Sequence, residues 1–130
     1  MRLPRVFVLL GVAMALAGCG VSAGDEVQAK VEQFAQAVAS RNTAALCQQI
    51  LAPQLVDRLT VFGLSCRRAM QTFVDSVENP TLSIAKVTVR GNTASAVVLT
   101  GAHGQRASLD SLELINTDHG WRLASLASPT

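Results

Sequence analysis

The sequence predicts an α+β fold, with N-terminal helices packed on a curved antiparallel sheet of about four strands. Three observations predict it. Apolar residues recur three or four apart from Val27 to Val77, the helical period. Beyond Pro80 the period becomes alternating, with Val87 and Val89 set between Lys86, Thr88 and Arg90. Turn clusters at Gly91-Asn92, Gly101-Ala102-His103-Gly104 and Thr117-Asp118-His119-Gly120 then divide that half into strand lengths.

The first helix is expected over residues 25–39, where Val27, Val31, Phe34 and Val38 build one apolar stripe. Asp25 followed by Gln28 resembles a capping box. Ser40-Arg41-Asn42 breaks the pattern. A short helix over 43–51 follows, with Asn42 as its cap. Pro53 suits the first turn of a third helix carrying Leu55, Val56 and Leu59. Ser65 caps a fourth, over 66–77, whose stripe is Ala69, Met70, Phe73, Val74 and Val77. Asn79-Pro80 ends it. Strands are expected around Val87, over 93–100, over 105–116 and over 121–126. The alternation of the third slips between Leu109 and Leu112, which predicts a bulge there.

The chain has 130 residues, a one-domain length. Its first 19 residues read as an export leader. Arg2 and Arg5 form a positive n-region, and Val6 to Ala17 is uncharged and apolar. That stretch is shorter than the roughly 20 residues a bilayer-spanning helix needs. Leu16-Ala17-Gly18-Cys19 then matches the lipobox of bacterial lipoproteins. The match implies cleavage before Cys19 and lipid on its thiol. Two acyl chains anchor stably where one holds only marginally. The expected division is a signal peptide at 1–18, a lipidated tether at 19–24 and the folded domain at 25–130.

Removing Arg2 and Arg5 from the eleven basic residues leaves nine, against nine acidic ones, so the net charge of +2 vanishes in the mature chain. A nucleic-acid partner is not expected, since no basic face remains to neutralise phosphates.

Cys47 and Cys66 remain. In an exported protein they are expected to form a disulfide. The competing readings are two buried free thiols or a metal site. No C-x-x-C and no His at ligand spacing supports a metal.

As a set, several segments resemble the small exported lipoproteins of the nuclear transport factor 2-like (NTF2-like, SnoaL-like) superfamily. They are Val31-Glu32-Gln33-Phe34 ending at Ser40-Arg41-Asn42, Ala45-Leu46-Cys47 leading to Leu51-Ala52-Pro53-Gln54-Leu55, Cys66 at a helix start, Val89-Arg90-Gly91-Asn92-Thr93-Ala94, and Gly120-Trp121-Arg122-Leu123. The resemblance covers roughly residues 25–127. It implies a cone-shaped, cystatin-like domain in which a bent sheet wraps helices and often leaves a pocket at the wide end. It also implies paired cysteines at positions such as Cys47 and Cys66. Fold is implied more strongly than function, because this fold hosts enzymes, binders and assembly modules.

No catalytic set is expected. Steroid isomerase-like members use an Asp base with an acid or Tyr as oxyanion donor. This chain has no Tyr. His103, Asp118 and His119 fall in predicted turns, where hydrated residues are the rule. Asp110 and Glu113 read as solvent-facing strand charges, unless a bulge brings them to one face. Asp57 and Asp75 lie on polar helix faces, Arg67 and Arg68 read as a solvated pair, and Trp121 as a core anchor. No Ser/His/Asp motif, phosphate loop or metal signature is present, and no cofactor is expected.

The expected protein is a lipoprotein on the extracytoplasmic face of the cell membrane. It would bind a small apolar ligand or an envelope partner, without catalysis. One rival is an accessory interaction module of an envelope transporter or secretion system, with a filled core. The other is a SnoaL-like enzyme, which needs Asp110, Glu113 or a His inside a cavity.

Overall fold

The computed structural model describes residues 20–126 and 128–129, with side chains described through Leu126. Leu16, Ala17, Gly18 and Cys19 lie outside the described residues. Among those described, no helix is long and apolar enough to cross a membrane.

Helix α1 spans Ala23–Ala39 and buries Val27, Val31, Phe34, Ala37 and Val38, the predicted stripe. It starts two residues before the expected position, inside the segment expected as tether. The cap is a Ser22 and Asp25 box. The Asp25 N–H donates to Ser22 Oγ at 3.1 Å, and the Ser22 N–H to Asp25 Oδ2 at 3.4 Å. Ser22 provides a hydroxyl one turn ahead of the acid, so two orphan donors are satisfied reciprocally.

Helix α2, Thr43–Ala45, begins at Asn42, whose side chain accepts from the Ala45 N–H. It continues as a π-helical turn over Leu46–Ile50. This widened turn ends with its carbonyls facing two cations. Lys30 Nζ donates to the Gln49 carbonyl at 3.3 Å, and Arg122 Nη1 to that of Gln48 at 2.9 Å. Cations at a helix C-terminus complement its negative end. Helix α3, Pro53–Val61, has Pro53 in its first turn, and α4, Cys66–Asp75, is capped by Ser65. Cys47 and Cys66 are joined by a disulfide with Cα atoms 5.9 Å apart, which ties the π-helical turn to the start of α4.

The sheet runs β1 (Thr81–Arg90), β2 (Thr93–Ala102), β3 (Gln105–Thr117) and β4 (Gly120–Leu123) as an antiparallel meander. A short β5, Ser128–Pro129, pairs with β3 beside Asp110 and Ser111. The expected last strand over 121–126 is shorter, ending at Leu123, and β5 lies beyond its expected range. The free edge of β4 is covered by the chain after the π-helical turn, where the Ala52 N–H donates to the Leu123 carbonyl at 2.7 Å. Covering an edge blocks unwanted pairing.

The helices lie on one face of the sheet, and the core is drawn from residues between Val27 and Leu123. Trp121 is a core anchor, 3% exposed.

The bulge expected between Leu109 and Leu112 is absent. Pairing there is continuous, with Leu99 opposite Leu109, Val98 opposite Asp110 and Ala96 opposite Leu112. The register shifts instead between Ile84 and Lys86 in β1, and between Thr100 and Ala102 in β2. The β1 shift has a plain cause. Leu82 and Ile84 pack inward, and so do Val87 and Val89, a change of parity that one extra residue absorbs.

Candidate functional site

Continuous alternation along β3 decides the site. Leu112 and Leu114 face the helices and are 1% exposed each. Two residues earlier on the same face stands Asp110, and two before that Ser108. Asp110 is only 9% exposed. The expectation that it is a solvent-facing charge is corrected by this parity. It is Leu109 that turns outward, half exposed and opposite Leu99 on the outer face. With no bulge between them, Asp110 and Glu113 point to opposite faces, and Glu113 is exposed.

The β2–β3 pairing supplies partners for the buried carboxylate. Thr100 sits opposite Ser108 and diagonal to Asp110. The Thr100 hydroxyl donates to Asp110 Oδ2. The Ser108 hydroxyl donates to the same oxygen at 3.0 Å, and the two hydroxyls lie 3.3 Å apart. Oδ1 receives no hydrogen bond from a described residue. The ion pair found among the described residues is Arg41 with Asp75, so Asp110 has no cation partner there.

Asp110 lines a cavity of about 200 Å³ between α1, α4 and the open end of the sheet. Phe34 and Val38 of α1, Phe73 of α4, Val77 just beyond the end of α4, Leu82 and Leu112 make its walls mainly apolar. The rings of Phe34 and Phe73 stack with centroids 6.4 Å apart. Gln105 and Arg106 stand at the mouth, both exposed. Sequence reasoning placed Phe34 and Phe73 in the core stripes and overlooked Thr100 and Ser108. Extending the inward parity of Leu112 and Leu114 back along the strand would have found the carboxylate and its neighbour.

The remaining candidates lie elsewhere. His103 and His119 are exposed in the β2–β3 and β3–β4 turns, Asp118 beside the latter. Asp57, Arg67 and Arg68 are exposed on helices, and Asp75 pairs with Arg41 at the surface. No group of three or more His, Cys, Asp or Glu that could hold a metal occurs among the described residues.

The protonation of one group outside the cavity is shifted. Burial, and then the positive charge of Arg122, hold the Lys30 ammonium below its ordinary value of 10.5.

The sequence matches no family model and no curated protein. The structure is similar to solved NTF2-like folds. An NTF2-like protein of unknown function from Silicibacter pomeroyi superposes with a TM-score of 0.56 at 20% identity, covering 79% of this chain and 93% of that one. A Streptomyces avermitilis protein of the NTF2-like family, to which a dehydratase activity is ascribed, gives 0.58 at 16% identity, covering 83% and 96%. A de novo designed NTF2-fold protein gives 0.55 at 17% identity, covering 85% and 90%. The chain has the NTF2-like cone fold, α+β, as its sequence resemblance implied. A shared fold does not by itself imply a shared activity.

Proposed function

We propose that this protein is a membrane-anchored envelope lipoprotein that binds a small, mostly apolar molecule. The observation that carries the binding reading is the cavity of about 200 Å³ with apolar walls and one buried carboxylate. Apolar pockets with a few placed polar groups are the usual form of small-molecule sites. Its size suits a compact ligand, since a cavity of about 150 Å³ takes benzene. Binding without turnover fits the chemistry at hand. Thr100 and Ser108 spend their hydroxyls on Asp110, and both histidines stand on the surface.

The anchor reading rests on the sequence, through Leu16-Ala17-Gly18-Cys19 behind a charged and then apolar leader. The location that follows is the extracytoplasmic face of the cell membrane. There the Cys47–Cys66 disulfide would persist.

A second reading, an accessory module for an envelope partner, is favoured by the outer face of the sheet. Leu99 and Leu109 are 45% and 50% exposed and lie opposite each other. Exposed apolar pairs of this kind belong to contact surfaces when they join a larger patch.

Native mass spectrometry of the mature chain, exported to an oxidising compartment and purified gently, tests the binding reading. A reproducible added mass that denaturation releases is the expected result. A bare chain that pulls down a stoichiometric protein partner favours the second reading. Turnover of the released molecule, lost in Asp110→Asn, would instead make the cavity an active site. The anchor is tested separately by palmitate labelling of the full chain, which Cys19→Ser should abolish along with membrane fractionation.

A further inference from the structure

The cavity also says which ligand chemistry it prefers. Asp110 is a carboxylate nine-tenths buried, and its two hydrogen bonds both fall on Oδ2. Oδ1 is left without a donor from any described residue. An ionised carboxylate only accepts hydrogen bonds. Held away from water it is costly unless a positive charge or further donors meet it. The described residues supply no such charge within ion-pair distance. Arg106 is exposed at the mouth rather than folded onto the carboxylate. On the helix side of the same cavity stand the rings of Phe34 and Phe73. Aromatic faces attract cations through the ring quadrupole, most strongly where water is excluded.

We propose that the occupant is a small hydrophobic amine, held as its ammonium ion by Asp110 Oδ1 and faced by Phe34 and Phe73. This deepens the binding reading above and rests on it. The ammonium provides the missing charge and donors, and its apolar body takes the place of water against Val38, Val77 and Leu112. Charge-assisted hydrogen bonds in such a site are shorter and roughly twice as strong as neutral ones.

The experiment uses three probes of nearly one size and shape: benzylamine, protonated at neutral pH, benzyl alcohol and benzoate. Each is titrated calorimetrically into the chain beginning at Gly20, whose core residues between Val27 and Leu123 are intact. Benzylammonium should bind at least about tenfold tighter than benzyl alcohol, with benzoate weakest. Asp110→Asn should bring amine and alcohol to within about twofold. The near-ultraviolet signal of Trp121, buried in the core, reports whether that variant keeps the fold. The ranking in the unmodified chain decides the matter even if the variant does not fold. Equal binding of amine and alcohol, or tightest binding of benzoate at the Arg106 mouth, overturns the ammonium assignment and leaves the apolar cavity standing. An amine preference that survives in folded Asp110→Asn also overturns it, because the amine then binds elsewhere. If none of the three binds, the ammonium assignment and the cavity reading fall together.

Discussion

Replacing Asp110 by leucine should make the unliganded protein more stable. The carboxylate is 9% exposed and has two hydroxyl donors but no cation among the described residues. Removing it relieves a desolvation penalty of several kcal/mol, the usual cost of a buried ion. It also removes two charge-assisted hydrogen bonds, each worth roughly 1.5–3 kcal/mol. These terms are of similar size and opposite sign. Thr100 and Ser108 are left with each other, their oxygens already 3.3 Å apart. What remains is the new apolar side chain, which enters space already present in a cavity of about 200 Å³. Burying a leucine side chain is worth roughly 1.5–3 kcal/mol, and imperfect packing lowers that, so the net gain is about 1–2 kcal/mol. In urea unfolding without reductant, a slope of about 2 kcal/mol/M turns this into a midpoint rise of roughly 0.5–1 M. The same variant should lose the amine binding described above. Stability gained as binding is lost marks a residue kept for function. A loss of about 1 kcal/mol or more in Asp110→Leu would refute the reasoning, because Asp110 would then hold the sheet together and its burial would no longer point to a ligand.

Two further outcomes are expected. Cys47→Ser combined with Cys66→Ser should cost about 3 kcal/mol, the chain-entropy value for a crosslink of this span. The separation is 19 residues. The thermal midpoint should fall by roughly 10–20 °C, and reducing the unmodified protein should give the same drop. An unchanged midpoint in both cases removes the disulfide from the account of stability. For Lys30, folding lowers the ammonium pKa below 10.5, chiefly by burial and then through Arg122. Between the lowered native value and 10.5 the unfolded chain binds more protons, so this group makes stability rise with pH across that window. Lys30→Met should flatten that rise. Parallel stability curves for the two proteins in alkaline buffer would show that Lys30 is not responsible.

Much of this protein is determined by its sequence alone. The helical stripes of α1 and α4, the caps at Asn42 and Ser65, Pro53 in the first turn of α3 and the turn before Thr93 are local features. Each depends on residues within a turn or two of one another, so spacing and residue type suffice. The order of helices before strands then fixes the α+β class. The match of Leu16-Ala17-Gly18-Cys19 to a lipobox, on which the proposed anchor rests, is likewise read without any tertiary contact. The sequence left two parities of β3 open, and the tertiary structure decided which face Asp110 takes. The slip from Leu109 to Leu112 suggested a bulge in β3, and a bulge would have set the acid beside Glu113. A strand turns every side chain over when its register moves by one residue. The register here is held by the whole sheet, with the compensating shifts in β1 and β2. Only that pairing brings Thr100 and Ser108 onto the carboxylate, and only the packing of Phe34 and Phe73 above it leaves the space a ligand could fill.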